Sequence, residues 1–367
     1  MLTQLRVFDD TARTDTAPSK HSGSLFEFIN TSAKPKAERC RAIIESWFDH
    51  LPDDEKPEFR ARLGSKDDVP FRAAFFELYL HELLLRSDLT VDFHPPSATG
   101  KRPDFKVHRD GVAVFYLEAR TAGDSAAKTA KQHIVDAAYD AINGMPCPDF
   151  FLEISVEGAP ETPVPVRNGL RRELEAWIAS LDYGALAALA HQGRRDLMPT
   201  YPWAHEGWRL VFRALPKLEG ARGKPSARPI GAITDDVAFV ARTDQLIENA
   251  VADKAGRYGK LDLPYVVAVN VLDRVGVDGD DMWGGLTAAL GDKRTTVSAV
   301  LIVPELWNPI AAQDCTASLI HNPSAARPLP LDLWPLSQFT IDRHDIEEVM
   351  LSTATAAGLL SLLDGGQ

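Results

Sequence analysis

The sequence predicts an α/β protein, and three observations support this. Apolar runs of strand length alternate with stretches of helical periodicity along most of the 367 residues, an order typical of α/β folds. The tetrapeptide His108–Gly111 is a turn signal between two alternating runs and predicts a β-hairpin. The composition, 45% hydrophobic and 25% charged, is typical of a globular protein that buries a large core.

Charge and cysteine content exclude several classes of protein. The net charge of −12 argues against a broadly basic surface for non-specific nucleic-acid binding, although it leaves room for a local basic groove. The cysteines, Cys40, Cys147 and Cys315, lack zinc-ligand spacing, and a reducing cytoplasm is the expected location. No apolar run reaches membrane-spanning length and the N-terminus lacks a signal-peptide pattern, so no membrane partner is expected.

Residues 1–65 are predicted to form an N-terminal arm followed by helices. The first 35 residues are polar and rich in Ser, Thr and Ala, with one anchored patch at Leu25-Phe26. Helices are predicted at 37–51 and 56–63, and the second begins with Pro57 in its first turn. This region is therefore interpreted as a helical N-terminal extension.

A longer helix at 69–86 is predicted to open the core. At about 100° per residue, Glu77 and His81 lie among apolar residues rather than on the polar arc. A carboxylate in that position is costly unless it is paired or bound to a metal. A buried Glu77–His81 pair and a partly exposed acid are the alternative interpretations.

The hairpin after this helix is predicted to place two acids on one face. A strand at 89–93 comes first, and a loop of three residues, 109–111, then sets Asp104 opposite Tyr116. With that register Asp104 and Glu118 are diagonal neighbours, roughly 7–8 Å apart at the backbone. A two-residue loop would shift the pairing by one and separate them onto opposite faces.

The predicted register also separates apolar from charged side chains. One face carries only apolar residues: Phe105, Val107, Ala113, Phe115, Leu117 and Ala119. The other face carries Lys106 and Arg120 beside the two acids. A helix at 124–143, which contains Lys128 and Lys131, and a strand at 150–156 are predicted to close the core. The predicted core therefore spans 66–157 with the order α-β-β-β-α-β.

These motifs resemble those of the PD-(D/E)XK nuclease superfamily, whose fold is called restriction-endonuclease-like. Pro103-Asp104 matches the PD element, and Glu118-Ala119-Arg120 matches (D/E)XK with arginine in place of the lysine. Glu77 matches an acid that the first helix of the family often supplies. The resemblance covers roughly a quarter of the chain, and its weight comes from the order of elements around these short motifs.

The resemblance implies a fold, a cofactor and an activity. It implies a restriction-endonuclease-like core in which Asp104, Glu118 and Glu77 bind Mg²⁺ or Mn²⁺ and DNA is hydrolysed, in defence or repair. Arginine stays protonated in proteins, so Arg120 would hold a phosphate rather than accept a proton. The amine of the family's lysine would then come from Lys106, Lys128 or Lys131, which are also expected to contact nucleic acid.

Residues 158–367 are predicted to form a second α/β region. The proline-rich segment 158–166 is the best boundary in the sequence. Strands are predicted at 208–215, 230–233, 237–241 and 264–271, with a helix at 244–258. This order repeats that of the core without its motifs. The region is therefore interpreted either as a degenerate duplicate of the core or as a common α/β arrangement.

The remainder of the second region contains one more candidate site. The loop 217–229 is basic, and Lys224 and Arg228 are predicted to contact phosphate, the alternative being a solvated loop. A helix at 281–290 and a strand at 297–303 follow, then a proline-rich stretch. A last helix is predicted at 346–363.

Three functions are consistent with the sequence. The first is a metal-dependent DNA nuclease. The second is a catalytically silent protein of the same fold that binds nucleic acid, a protein partner or a second copy of itself. The third is a structural α/β protein in which the motifs coincide by chance. The phosphate-cradling, dinucleotide-binding and nucleophile-elbow motifs do not occur in the sequence.

Overall fold

A computed structural model gives the fold, and its secondary structure is mixed α/β. The residues that the structure describes are 5–122, 126–158, 160–162, 169–224, 228–235, 243–272, 279–290, 294–304, 306, 317–341 and 348–352. None of the helices in these ranges is long and apolar enough to cross a membrane.

Helices and strands alternate along the described chain. The helices are α1 (Leu25–Thr31), α2 (Pro35–Asp49), α3 (Lys56–Leu63), α4 (Asp68–Leu85), α5 (Ala126–Asn143), α6 (Arg171–Ala179), α7 (Tyr183–His191), α8 (Thr243–Ala255) and α9 (Gly279–Ala289). The strands are β1 (Thr90–Phe93), β2 (Phe105–Arg109), β3 (Val112–Ala122), β4 (Phe150–Gly158), β5 (Thr200–His205), β6 (Trp208–Pro216), β7 (Ile230–Asp235), β8 (Tyr265–Val271), β9 (Ala299–Pro304), β10 (Ser318–His321), β11 (Ser337–Ile341) and β12 (Glu348–Ser352).

The chain divides into two compact units. Unit 1 comprises residues 1–17, 24–123 and 241–367, and unit 2 comprises 18–23 and 124–240. The predicted boundary at residue 158 is therefore wrong, because it falls within unit 2. Unit 2 is instead an insertion between β3 and α8, and both neighbours of the insertion belong to unit 1.

Local signals explain the first helices of unit 1. The Ser24 side chain accepts a hydrogen bond from the backbone of Glu27 at 3.1 Å and begins α1, while Pro35 stands at the start of α2. Asp67 accepts from the backbone of Val69 at 3.0 Å and begins α4. From Ala74 to Leu84 every residue of α4 is buried, so this helix lies at the centre of the unit.

The sheet of unit 1 has the order β1-β2-β3-β8-β9-β10-β11-β12 within the described residues. Strand β2 is antiparallel to both β1 and β3, and β8 lies parallel to β3 on its other side. Helix α8 packs against β3 and β8. The sequence-based assignment of α5 and β4 to this core is wrong, because α8 and β8 occupy those places.

The β2–β3 hairpin differs from the prediction in its turn and in its register, because Tyr116 pairs with Lys106 rather than lying opposite Asp104. Its turn has two residues, Asp110 and Gly111, both at positive φ (52° and 76°), as the right-handed twist of a hairpin favours. A register shift beside Val107 leaves Val114 without a partner in the ladder. A turn shorter by one residue would have moved each side chain of β3 to the opposite face of the sheet. The bulge adds one residue to β3 and returns the side chains to the predicted faces. The predicted apolar face is correct at its centre, because Phe105, Phe115 and Leu117 are all buried.

Unit 2 is built around a second sheet, with the order β5-β6-β4-β7. Strand β4 pairs with β6 in the antiparallel sense and with β7 in the parallel sense. The apolar side chains of α5 and α6 pack on this sheet. The proposed duplicate at 208–271 is therefore divided between two sheets, since β6 and β7 lie in unit 2 and β8 lies in unit 1.

The end of the described chain is strand rather than helix. Strand β12 begins at Glu348, where a helix was predicted, and it pairs antiparallel with β11. Strand β10 lies within the stretch interpreted as a proline-rich surface tail, and β11 follows that stretch. Helical periodicity at 346–352 was misleading because strand pairing with β11 decides the conformation there. The predicted strand at 237–241 lies outside the described residues.

Candidate functional site

Asp104 lies one residue before β2, where the hydrogen-bond ladder to β3 ends. Its Oδ2 accepts a hydrogen bond from the backbone N–H of Ala119 at 2.7 Å. The carboxylate thus takes the position that a carbonyl of β2 would occupy if the strand continued. Asp104 is therefore held against the backbone of the residue that follows Glu118.

Glu118 is 2% exposed and points to the side of the sheet that α8 covers. Its two carboxylate oxygens accept hydrogen bonds from the Lys254 ammonium and from the Tyr258 hydroxyl. Lys254 is in the last turn of α8, and Tyr258 follows the helix. A buried carboxylate requires such partners, because an unpaired charge in the interior is costly.

Glu77 approaches the same region from α4, on the other side of the sheet. Its carboxylate forms a two-pronged ion pair with Arg62 of α3, with Nη1 to Oε2 at 2.7 Å. The interpretation of a Glu77–His81 pair is wrong, since the arginine takes both oxygens. The His81 ring packs against Phe93 instead, with 5.2 Å between the ring centroids.

The charges of Glu77 and Glu118 affect the pKa of Asp104. Burial raises the pKa of Asp104, and the negative charges of Glu77 and Glu118 raise it further, to about 8. The Ala119 N–H and the Lys254 ammonium oppose this shift. Burial and the charges of the other two carboxylates thus all favour the protonated form of Asp104.

The donor chemistry of this site fits a hard divalent cation. Its donors are carboxylate oxygens, and carboxylates crowded together carry negative charge that a cation would offset. A shared metal ion would need one carboxylate oxygen from each acid close to the other two. Within the described residues, Glu77, Asp104 and Glu118 do not bring three such oxygens within 4.8 Å of one another. Two of them are bonded to Arg62 and Lys254 instead.

A different group of three side chains does lie within that distance. One ligand atom from each of Glu55, Glu58 and His94 lies within 4.8 Å of the other two. Two of these residues flank the start of α3, and the third follows β1. The sequence analysis missed this group because its members belong to segments assigned to an extension and a loop.

Arg120 lies on the same side of the sheet as Glu118, two residues further along β3. Its guanidinium is half-exposed and stands 3.5 Å from Asp253, the neighbour of Lys254 on α8. Lys106 also lies on this side, with its ammonium 5.7 Å from the centre of the Tyr116 ring. Both cations are therefore in unit 1, but Lys254 is the one that contacts Glu118.

The other predicted contacts to nucleic acid belong to unit 2. Lys131 is half-buried on α5, and the Lys128 side chain lies outside what the structure describes. Lys224 is exposed and Arg228 is half-buried.

The basic loop that contains these two residues is partly structural. The Lys217 ammonium is buried and donates to the carbonyl of Cys147 at 2.7 Å. Arg222 pairs with Asp149 at 2.9 Å and stacks on Tyr183. Lys217 and Arg222 are therefore engaged within the protein, and contact of Lys224 and Arg228 with phosphate stays a prediction.

A signal for Lys254 was present in the sequence. Strand β8 is a continuous apolar run, YVVAVNV, as expected for a strand buried on both faces of a parallel sheet. Strand β4, FFLEISVEG, contains Glu153, Ser155 and Glu157 and reads as a strand with one polar face. That contrast favours β8 as the strand beside β3, and the helix before β8 then provides Lys254.

The comparisons with known proteins identify no family. No family model matches the chain, and no curated protein matches it. A solved structure described as a cryo-EM structure of a DrdV–DNA complex is similar over 41% of this chain and 15% of that one. The sequence identity is 13% and the TM-score is 0.14. A TM-score this low carries no argument about fold or function.

Proposed function

We propose that the protein is a metal-dependent nuclease that hydrolyses phosphodiester bonds in DNA. The observation that carries this proposal is the contact between the Lys254 ammonium and Glu118, beside Asp104. It supplies the amine that the sequence motif lacks. The sequence resemblance named Lys106, Lys128 and Lys131 for this role, and we now assign it to Lys254.

The order of elements around the site supports the proposal. Helix α4, the antiparallel strands β1 to β3, helix α8 and the parallel strand β8 follow one another in unit 1, interrupted by unit 2. This is the α-β-β-β-α-β order that the resemblance implies, with its last helix and strand displaced along the chain. Glu77 and Glu118 approach the end of β2 from opposite sides of the sheet, and the half-exposed Arg120 on β3 would be the group that meets a substrate phosphate.

Mg²⁺ or Mn²⁺ would be held by Asp104 and Glu118, with Glu77 as an auxiliary ligand. When bound, such an ion polarises the phosphate and lowers the pKa of a water molecule. The protein's own part is to orient the oxygens: the Ala119 N–H holds Asp104 in place, and Tyr258 holds one oxygen of Glu118. The Arg62–Glu77 pair positions the third acid.

Lys254 and Arg120 have different roles in this proposal. A lysine ammonium is a compact charge with three rotatable donors, whereas a guanidinium is a planar fork. Lys254 would position the attacking water and offset negative charge that develops beside Glu118. Arg120 is half-exposed, and its guanidinium would hold a non-bridging phosphate oxygen as charge develops on it.

DNA is the proposed partner, and the reducing cytoplasm is the proposed location. Lys106 and Arg120 in unit 1 would contact the phosphate backbone, together with Lys131, Lys224 and Arg228 in unit 2. Cys40 and Cys147 are buried in the core, and the low cysteine content is consistent with a reducing compartment. A role in defence or repair follows from the resemblance alone.

The test compares three variants of Lys254 and its surroundings on linear, nicked, branched and single-stranded DNA with Mg²⁺ or Mn²⁺. We expect Lys254→Ala and Glu118→Gln to lower the cleavage rate at least about 100-fold, as removing a group positioned to stabilise a transition state does. Lys36→Ala is the matched control, because Lys36 is exposed on α2, away from the acids. Unchanged cleavage in Lys254→Ala would remove the basis of this assignment.

A catalytically silent protein of the same fold is the second candidate. The ion pairs Arg62–Glu77 and Lys254–Glu118 favour it, because they compensate two of the three acids without a metal. Calorimetric titration with Mn²⁺ separates the two candidates. A nuclease should bind Mn²⁺, and Asp104→Asn should weaken that binding. If the parent protein neither binds the ion nor cleaves any substrate, the silent protein replaces the nuclease, with nucleic acid or a protein partner as its ligand.

A further inference from the structure

A small pocket in unit 1 lies beside the Lys254–Glu118 contact. It is formed by the end of α8 and the turn after it, the start of β8 and the segments around residues 296 and 327. The polar side chains that matter for its chemistry are Lys254, Tyr258, Lys260, Tyr265, Thr296 and Arg327. Lys254 and Tyr258 therefore face both this pocket and Glu118.

The lining of the pocket is positively charged. It includes three cations, Lys254, Lys260 and Arg327, and none of its lining residues is Asp or Glu. The nearby acids are directed elsewhere, since Asp253 pairs with Arg120 and Asp262 accepts from the Tyr116 hydroxyl. In a chain with a net charge of −12, a pocket whose charged lining residues are all cations indicates an anionic ligand.

Two of these cations have capacity for a ligand. Lys260 is exposed and makes no hydrogen bond or ion pair within the described residues. Arg327 donates its Nε to the carbonyl of Leu261 at 3.0 Å, which fixes the guanidinium. Its terminal nitrogens remain available as a fork for oxygen atoms. Lys254 is already compensated by Glu118, so Lys260 and Arg327 supply the uncompensated charge.

A buried hydroxyl group also lacks a partner in this pocket. Tyr265 is 2% exposed, and its hydroxyl makes no hydrogen bond within the described chain. Burial and the negative charge of Glu118 raise its pKa well above the ordinary value, so the group remains a donor. A buried donor without an acceptor costs free energy. Because Tyr265 lines the pocket, a ligand oxygen that reached this hydroxyl would satisfy it.

The size of the pocket limits the ligand. Its volume is about 70 Å³, whereas a single water molecule needs about 10–15 Å³. This is room for a group of several heavy atoms but not for a whole nucleotide. A tetrahedral oxyanion is of the right size, and hydroxyl and ammonium donors suit its oxygens.

We infer that this pocket binds a phosphate monoester group. A monoester carries about −1.5 to −2 charges at pH 7 and three terminal oxygens, whereas an internal diester carries one charge. Two free cations and the Tyr265 donor therefore favour the monoester. Because Lys254 is shared with the acids, a strand whose terminal phosphate occupied the pocket would place its end next to them. That use of the pocket, selection of phosphorylated strand ends, rests on the proposed function.

The first experiment measures binding of inorganic phosphate to the full-length protein by calorimetry in EDTA. We expect binding that weakens at least 10-fold in the Lys260→Ala/Arg327→Ala double variant. Tyr265→Phe keeps the ring and removes only the hydroxyl, and a several-fold loss is expected from it. Lys36→Ala is the control for the loss of a surface cation. If phosphate does not bind the parent protein, or binds all four proteins equally, the pocket is not a phosphate site.

The second experiment distinguishes a strand end from free phosphate. Binding of short oligonucleotides with a 5′-phosphate, a 3′-phosphate or hydroxyl ends is measured in EDTA, with and without inorganic phosphate as competitor. Preference for one phosphorylated end that phosphate abolishes would support selection of strand ends. Equal binding of all ends, with free phosphate still bound, would overturn that selection and leave a site for the free ion.

The two proposals fail separately in these measurements. Phosphate binding in EDTA needs neither a metal nor hydrolysis. A parent protein that cleaves DNA but binds no phosphate overturns the pocket alone. A parent protein that binds phosphate but cleaves nothing overturns the nuclease alone.

Discussion

At the scale of single residues, Asp104 is the group whose charge depends most on folding. Its pKa is raised from 3.8 to about 8 by burial and by the charges of Glu77 and Glu118. Between these two pH values the unfolded chain releases a proton that the folded protein retains. The free energy of unfolding contributed by this group therefore falls as pH rises from about 4 to about 8, and is constant above that.

Asp104→Asn should remove this pH dependence. Asparagine still offers an oxygen to the Ala119 N–H but has no proton to lose. Denaturant unfolding of parent and variant is measured at pH 5, 6.5 and 8. We expect the stability of the variant relative to the parent to increase steadily across that range. A difference that stays constant between pH 5 and 8 would show that Asp104 titrates normally.

Arg62 is a second residue whose contribution to the free energy of unfolding can be measured. Its pair with Glu77 is mostly buried, with 24% and 11% of the side chains exposed. Removing one partner of a buried pair costs about 3–5 kcal/mol, and partial exposure lowers this. We expect Arg62→Ala to lower the free energy of unfolding by about 2–3 kcal/mol. Arg171→Ala, which breaks the exposed pair with Glu175, should cost about 0.5 kcal/mol or less.

Part of the site could be predicted from single residues, and part could not. Asp104, Glu118 and Glu77 were identified by type and spacing, since carboxylates at those positions need a partner or a metal. The Arg62 and Lys254 partners could not be found in the same way. Both are ordinary surface residue types on helices, and only the packing of α3 and α8 brings them to the acids.

At the scale of elements, the hairpin shows how two deviations cancel. The predicted faces of β2 and β3 are correct although the turn is one residue shorter than expected. Burial of Phe105, Phe115 and Leu117 decides which side chains face the core. The bulge at Val114 shifts the strand pairing by one residue, so that these side chains stay on that face. Alternation along a strand therefore predicts faces more reliably than a turn motif predicts loop length.

The packing of α8 against α9 depends on a glycine. A Cβ at Gly285 would lie 2.6 Å from the carbonyl oxygen of Asp244, at the start of α8. We expect Gly285→Ala to lower the free energy of unfolding by about 1–3 kcal/mol, because backbone atoms cannot move aside cheaply. It should also slow DNA cleavage, since α8 carries Lys254.

The neighbouring glycine provides the control for this substitution. Gly284 is exposed on the same helix, and a Cβ there would meet nothing within 4 Å. Gly284→Ala should therefore raise stability by about 0.5–1 kcal/mol through helix propensity alone. Both values come from denaturant unfolding. Equal effects of the two substitutions would contradict close packing at Gly285.

At the scale of the whole molecule, the insertion of unit 2 is the feature that the order of predicted elements did not reveal, although the apolar run of β8 was a signal for its place beside β3. The helix and strand predicted at 124–143 and 150–156 do form, and their order fits the core as well as that of α8 and β8. Local periodicity does not say which strand pairs with β3. That choice depends on burial of both faces of β8 between β3 and β9.

The insertion predicts that unit 1 does not need unit 2 to fold. Replacing 124–240 with a flexible Gly/Ser linker leaves every strand of the first sheet in place. We expect the shortened chain to unfold cooperatively and to retain its helical and strand signals in circular dichroism. A shortened chain without a cooperative transition, while the full-length protein has one, would mean that unit 1 depends on the insertion.

The pairing of β3 with β8 has a consequence for synthesis on the ribosome. Glu118 and Val267 are neighbours in the ladder although roughly 150 residues separate them in the chain. The nascent hairpin must therefore wait until all of the insertion has been translated before its open edge is covered. Closing so long a loop is entropically unfavourable and slow, but an insertion that has already folded shortens the flexible part. We therefore expect residues 124–240 to fold first during translation, with β3 exposed to chaperones until β8 emerges.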